Sequence, residues 1–116
     1  MTDPNCLFCR IIGGEIPSKK VYEDDHVFAF EDISPKAPTH VLIIPKKHVP
    51  RISALTDGEA GLLLSIHRAL LELVKKEPEA KTGFRFLTNE GDNAGQSVKH
   101  LHFHFLAGRH LAWPPG

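Results

Sequence analysis

The chain has 116 residues, of which 41% are hydrophobic, and its 14 Lys and Arg balance 14 Asp and Glu. This length fits one small domain, predicted over 1–116, and the formal net charge of zero provides no overall field that would favour nucleic acid or a membrane surface. No apolar run approaches a membrane span and the polar start lacks a signal-peptide pattern, so a soluble, cytoplasmic protein is expected.

The first half of the chain predicts one short helix and three strands. Helical spacing of apolar residues over Leu7–Ile12, followed by two glycines, predicts a short helix that ends there. Segments 21–23 and 26–30 predict two strands of a hairpin joined by an acidic turn, and the β-branched run Thr39–Pro45 predicts a third strand.

The second half predicts one long helix and two more strands. Thr56 and Glu59 have the spacing of a capping box, and apolar residues follow at helical spacing over 56–76. Strands are predicted at 83–89 and 99–108. The resulting fold class is α+β, with a five-stranded antiparallel sheet, one short and one long helix, and helices mainly on one face.

The predicted last strand carries three histidines at every second position, His100, His102 and His104. A strand has a side-chain period of two, so the three imidazoles are expected to share one face. The residues between and after them are large and apolar, and are expected to enter a core: Leu101, Phe103 and Phe105. Such a row can supply a nucleophile, an acid or a base near neutral pH, or ligands for a catalytic zinc, and both readings stay open.

A polar loop with two glycines, 89–97, precedes the histidines. Its amides and hydroxyls, including Asn89, Gln96 and Ser97, are expected to share the space of the imidazoles. A histidine attacking phosphorus needs donors of this kind for the charge on the non-bridging oxygens. Loops of this composition are also ordinary turns, so the loop gains meaning only beside the histidines.

Cys6 and Cys9 are the two cysteines, and they are too close in sequence to staple distant parts of a fold. A C-x-x-C pair is typical of a metal site or a redox pair. A further possibility is that the two cysteines are simply small hydrophobic side chains buried in the core.

Several segments together resemble the histidine triad family. HLHFHFL matches its His-x-His-x-His-x-x signature, and FEDISPKAPTHVLIIPKKH, TNEGDNAGQSVKHLHFHFLAGR and the ending WPPG are similar to its Hint branch, the purine nucleoside phosphoramidases. The resemblance implies a HIT-like α+β fold whose five-stranded antiparallel sheet continues across a homodimer, with the tail 109–116 reaching toward the partner. It also implies hydrolysis of purine nucleoside 5'-phosphoramidates, of AMP or GMP, through a nucleotidyl-histidine intermediate.

The same resemblance implies roles for individual residues. His102 corresponds to the nucleophile, His40 to a histidine that helps to orient it, and the His100 carbonyl to the acceptor of its other ring proton. His104 and Ser97 complete the catalytic set. Expected nucleotide contacts are Asp32 to the ribose, Gln96, Ser97, His102 and His104 around the phosphate and leaving group, Asn89 as a further site residue, Leu7, Phe8, Ile11, Phe30 and Ile33 around the base, and Trp113 from the tail.

Other bacterial-type members of the wider family hold a structural zinc, and the corresponding ligands here are Cys6, Cys9, His48 and His100. Two thiolates and two imidazoles make a closed tetrahedral set, so neither a catalytic metal nor an organic cofactor is expected. Two other functions stay open. They are hydrolysis of dinucleoside polyphosphates, as in the Fhit branch, and a nucleotide-binding regulatory module with little turnover.

Overall fold

The structure, a computed structural model, describes residues 3–116; residues 1 and 2 of the predicted domain lie outside it. Within residues 3–116 the fold consists of two α-helices and five strands. Helix α1 is Leu7–Ile12 and α2 is Ala60–Lys76; the strands are β1 Lys20–Glu23, β2 Val27–Glu31, β3 Thr39–Pro45, β4 Phe84–Thr88 and β5 Phe103–Ala107. Short 3-10 turns connect several of these elements, one of them over Asp57–Glu59 directly before α2.

The five strands form one antiparallel sheet in the order β1-β2-β3-β5-β4. Strand β3 is buried along its whole length because it lies in the centre and is covered on both faces. The predicted α+β class and the five-stranded antiparallel sheet are therefore confirmed. Thr56 caps the 3-10 turn together with Glu59, as the capping-box spacing predicts, and α2 continues from that turn.

Helices cover both faces of the sheet, which corrects the expectation of helices mainly on one face. Strand β2 shows why, because both sets of its alternating residues are apolar and buried. Val27 and Ala29 join the core beneath α2, whereas Phe28 and Phe30 join a second core beneath α1. The small helix α1 therefore lies on the opposite face of the sheet from α2.

The last strand is shorter than predicted, and this places two of the three histidines outside it. Strand β5 starts at Phe103, so His100 and His102 lie in the irregular segment before it. The hydrogen-bonded ladder between β5 and β3 ends at the pair of Phe103 and Ile43. Two residues further along β3 is Pro45, which has no N–H to donate to a longer ladder. Alternation of the side chains persists nevertheless: the apolar positions 101, 103 and 105 are all buried in the core beneath α2.

No helix in the described range 3–116 is both long enough and apolar enough to cross a membrane.

Candidate functional site

His102 is held with one ring nitrogen fixed and the other one free. Its Nδ1 donates to the backbone oxygen of His100 at 2.7 Å, the acceptor expected from the sequence. The side chain is buried, and the ring edge of Phe8 packs against it at a centroid distance of 5.1 Å. Because Nδ1 carries the proton, the lone pair is on Nε2, and Nε2 has no hydrogen-bond partner among residues 3–116. A neutral imidazole with an available Nε2 can act as a nucleophile.

His40 lies against His104 and not against His102. The backbone N–H of Lys36 donates to His40 Nδ1 at 3.0 Å, so the proton of this imidazole is on Nε2. That Nε2 lies 2.9 Å from His104 Nδ1 and 3.4 Å from an oxygen of Asp32. If His40 orients the nucleophile, it does so only through His104.

This pairing determines what His104 can do. Since His104 Nδ1 accepts from His40, its own proton is on Nε2, where it can be donated to an oxygen of a ligand. Burial lowers the pKa of His104 to about 4, and the electrostatic influence of the neighbouring His102 and His40 acts in the same direction. His104 is therefore a neutral hydrogen-bond donor at physiological pH. Its ring centroid lies 5.3 Å from that of His102, so the two imidazoles are neighbours.

A second cluster combines the two cysteines with two histidines. His100 Nδ1 lies 3.3 Å from Cys6 Sγ and 3.6 Å from Cys9 Sγ, and His48 Nδ1 lies 3.4 Å from Cys9 Sγ and 3.2 Å from His100 Nδ1. A tetrahedral zinc with ordinary bond lengths places its ligands about 3.6 Å apart for sulfur and nitrogen and about 3.3 Å apart for two nitrogens. The observed spacings fit such an ion, and the four residues could hold a metal.

The tautomer of His100 also suits a metal ligand. Its Nε2 donates to the backbone oxygen of Pro45 at 2.8 Å, which leaves the lone pair on Nδ1, facing the two sulfurs. Burial lowers the pKa of His100 to about 4, and burial raises the pKa of Cys9. His100 thus connects the two clusters, since its ring faces the cysteines and its carbonyl holds His102.

Asp32, His40 and His104 form another group whose ligand atoms lie close together. Their hydrogen bonds argue against a metal there, because Lys36 occupies His40 Nδ1 and the facing Nε2 carries a proton. A metal held by Asp32, His40 and His104 would need the two facing nitrogens of the histidines to be unprotonated. The geometry therefore argues against a catalytic metal in this group.

The glycine-containing loop is ordered by one of the residues predicted to contact phosphate. Gln96 accepts from the backbone N–H of Gly91 at 3.0 Å and donates to Pro50 O at 2.8 Å and Val98 O at 3.1 Å. All of these contacts are with backbone, so in this structure the Gln96 side chain shapes the loop. Gly91 and Gly95 have φ of 85° and 79°, values that favour glycine. Ser97 is exposed and Asn89 is half-buried.

The residues predicted around the base divide into a buried and an exposed set. Phe8, Ile11 and Phe30 are buried, and Phe8 contacts both Phe30 and His102. Leu7 is 45% exposed and Ile33 is 97% exposed, so neither is enclosed within this chain. Asp32 uses one carboxylate oxygen to accept from the N–H of Ser34 at 2.8 Å, and its other oxygen faces His40.

The C-terminal tail is fixed to the domain by two arginines. Arg85 donates to Leu111 O at 3.3 Å and to Ala112 O at 3.0 Å. Arg109 donates from Nε to Lys36 O at 2.8 Å and from Nη1 to the oxygen of His110 at 2.9 Å. Trp113, predicted to contact a nucleotide, is 81% exposed in the single chain.

Thr88 and Lys36 were not singled out in the sequence, yet both touch the site. The Thr88 hydroxyl donates to His102 O at 2.7 Å, next to the point where the ladder of β5 begins. A hydroxyl residue at the end of an apolar strand is a weak signal of such a contact. Lys36 acts through its backbone, for which the side chain in the sequence gives no signal.

Comparisons with known proteins show the same family and the same fold. The model of the HIT domain matches residues 13–111. An uncharacterized HIT-like protein of Synechocystis is 47% identical over 114 residues, which cover 95% of this chain and 96% of that protein. A crystal structure of a HIT family hydrolase from Legionella pneumophila superposes with a TM-score of 0.93 at 46% identity, covering 97% of this chain and 100% of the other. A histidine triad protein from Clostridium difficile gives a TM-score of 0.93 at 46% identity, covering 97% of both chains.

Proposed function

The chain belongs to the HIT family, and on this basis we propose that it is a nucleotide-binding hydrolase that cleaves purine nucleoside 5'-phosphoramidates. The observation that carries the proposal is the tautomer of His102, whose Nδ1 is bonded to the His100 carbonyl so that Nε2 can attack. Structural relatives described as HIT family hydrolases support a hydrolase, and the Hint-like segments of the sequence favour the phosphoramidate substrate.

The proposed reaction has two displacements at the α-phosphorus. His102 Nε2 attacks, the new N–P bond forms, and the P–N bond to the amine breaks as the amine takes up a proton from solvent. Water then attacks the nucleotidyl-histidine and loses a proton to solvent, which releases the nucleoside monophosphate and restores the neutral imidazole. The neutral His104 donates its Nε2 proton in a hydrogen bond to a non-bridging oxygen, where negative charge develops. Ser97 is assigned to the leaving group from the family resemblance; it is the last residue of the loop and is exposed.

The nucleoside part is assigned to the face of the sheet that α1 covers. Phe8 supports both the base and the nucleophile in this proposal, because it already packs against His102. Asp32 is assigned to the ribose hydroxyls, for which a carboxylate is a suitable acceptor. The exposed Leu7, Ile33 and Trp113 complete the pocket only when a ligand or a second chain covers them.

We also propose a structural zinc on Cys6, Cys9, His48 and His100. When bound, the ion would fasten the start of α1 to the segment after β3 and to the segment before β5, since Cys6 and Cys9, His48 and His100 come from these three places. The tautomer of His100, set by the Pro45 carbonyl, supports this assignment. The four protein ligands fill a tetrahedral site, so the reaction would not use the metal.

The homodimer is proposed from the open edge of the sheet. Strand β4 pairs only with β5 in the described chain, and Phe84 on it is 39% exposed. An unpaired edge with an exposed aromatic residue can be covered by a second copy. Size-exclusion chromatography with light scattering would measure the mass, with twice the chain mass expected and Phe84→Lys expected to lower it.

A substrate comparison tests the function. We expect a much higher kcat/KM for an AMP–amine phosphoramidate than for a diadenosine polyphosphate. The reverse order would favour a hydrolase of the Fhit type. AMP binding without turnover of either compound would favour a nucleotide-binding module.

A further inference from the structure

The loop between β2 and β3, residues 32–38, fixes the proton position of His40 through its backbone. Its ends are joined by the bond from Asp32 N to His40 O at 2.9 Å, and Lys36 N donates to His40 Nδ1 at 3.0 Å. Two prolines in this loop have no N–H, so few donors are available to face the ring. The position of the Lys36 backbone therefore decides whether His40 Nδ1 has a donor.

Lys36 is held from its other side by the start of the C-terminal tail. Arg109 Nε donates to Lys36 O at 2.8 Å. Both backbone polar groups of Lys36 are therefore hydrogen-bonded, its N–H to His40 and its carbonyl to Arg109. The chain enters the tail at Gly108, where φ is 98° and an added Cβ would lie 2.8 Å from the Cβ of Pro38. The tail thus passes directly against the 32–38 loop.

We propose that Arg109 is a positioning residue for the His40–His104 pair. By holding the Lys36 carbonyl, Arg109 keeps the Lys36 N–H on His40 Nδ1, which keeps the His40 proton on Nε2 and directed at His104 Nδ1. His104 then keeps its own proton on Nε2. The catalytic part of this inference rests on the proposed function, in which that proton is donated to the phosphate, whereas the proton positions do not depend on any reaction.

Arg85 offers a matched control for this role. It also fixes the tail, through Leu111 O and Ala112 O, but it makes no bond to the 32–38 loop. If the tail acted as a whole, the loss of either arginine would change the histidine pair. If Arg109 acts through Lys36, only the loss of Arg109 will do so.

The experiment compares the full-length wild type with Arg109→Ala and Arg85→Ala by ¹⁵N NMR of the imidazoles at neutral pH. The wild type is expected to show His40 and His104 each protonated on Nε2. Arg109→Ala is expected to shift the His40 Nδ1 resonance toward that of an imidazole without a donor and to introduce the other tautomer. Arg85→Ala is expected to retain the wild-type pattern. An unchanged His40 in Arg109→Ala, or an equal change in both variants, would overturn the proposal.

The kinetic readout separates positioning from binding. With an AMP–amine phosphoramidate, Arg109→Ala is expected to lower kcat about three- to tenfold with KM unchanged, the size of one lost hydrogen bond. An effect confined to KM would contradict a positioning role. If the wild type hydrolyses no phosphoramidate, the proposed function fails, while the NMR spectra still decide the role of Arg109.

Discussion

Acid should destabilise this fold through His104. The half-buried imidazole has its pKa lowered to about 4 in the folded chain, against 6.5 for the ordinary group. Well above pH 6.5 the ring is neutral in both states, so its titration contributes nothing to the free energy of unfolding. Between pH 6.5 and 4 the unfolded chain binds a proton that the folded chain does not, and stability falls as the pH falls. A difference of two to three units corresponds to about 3 kcal/mol.

Urea unfolding of the wild type and His104→Gln at a series of pH values would measure this loss. We expect the wild type to lose about 3 kcal/mol more than the variant between pH 7 and 4, since protonation of the cysteine and histidine cluster affects both proteins alike. His110→Gln removes an exposed imidazole and should follow the wild type. Equal pH dependence in the wild type and His104→Gln would refute the reasoning from burial.

Three further tests address separate parts of the structure. Thr88→Val removes the hydroxyl that donates to His102 O and should lower the free energy of unfolding by about 1 to 2 kcal/mol, or the melting temperature by about 4 to 8 °C. Thr88→Ser keeps a hydroxyl and should retain most of this stability; equal melting temperatures of the two variants would contradict the role of the hydrogen bond. Cys6→Ser and Cys9→Ser should each reduce the zinc content from about one ion per chain and lower the melting temperature by roughly 10 °C. A wild-type protein that melts at the same temperature with and without zinc would exclude the metal site. Asp32 should make AMP bind about fivefold or more tightly than 2'-deoxy-AMP by calorimetry, a preference that Asp32→Ala should remove; equal affinities in the wild type would exclude the ribose role.

The sheet could be predicted because its signals are local. Strand β3 is an unbroken β-branched run that ends at a proline, and α2 follows a capping box at the expected position. Alternation around the histidines correctly placed the apolar positions in the core. The start of β5 could not be predicted, since it depends on Pro45, a residue of a different strand that cannot donate to the ladder.

The site was predictable where a local sequence motif specifies it, and unpredictable where a contact depends on strand pairing or on the folded loop. The bond from His102 to the His100 carbonyl follows the expected pattern, and the four possible metal ligands lie together. Contact between His40 and His104 depends on strand pairing across 64 positions of sequence, which no local pattern encodes. The three hydrogen bonds between the Gln96 side chain and backbone groups likewise exist only in the folded loop.

Nucleophilic attack by His102 is the central claim, and trapping of the intermediate tests it most directly. The purified protein would be mixed with an AMP–amine phosphoramidate, quenched within the first turnovers and digested for mass spectrometry of the peptide that contains residue 102. We expect a nucleotidyl group on His102 in the wild type and none in His102→Ala, whose kcat should fall on the order of 10⁴-fold while AMP still binds. Full activity of His102→Ala, or a nucleotidyl group on another residue, would contradict the proposed mechanism.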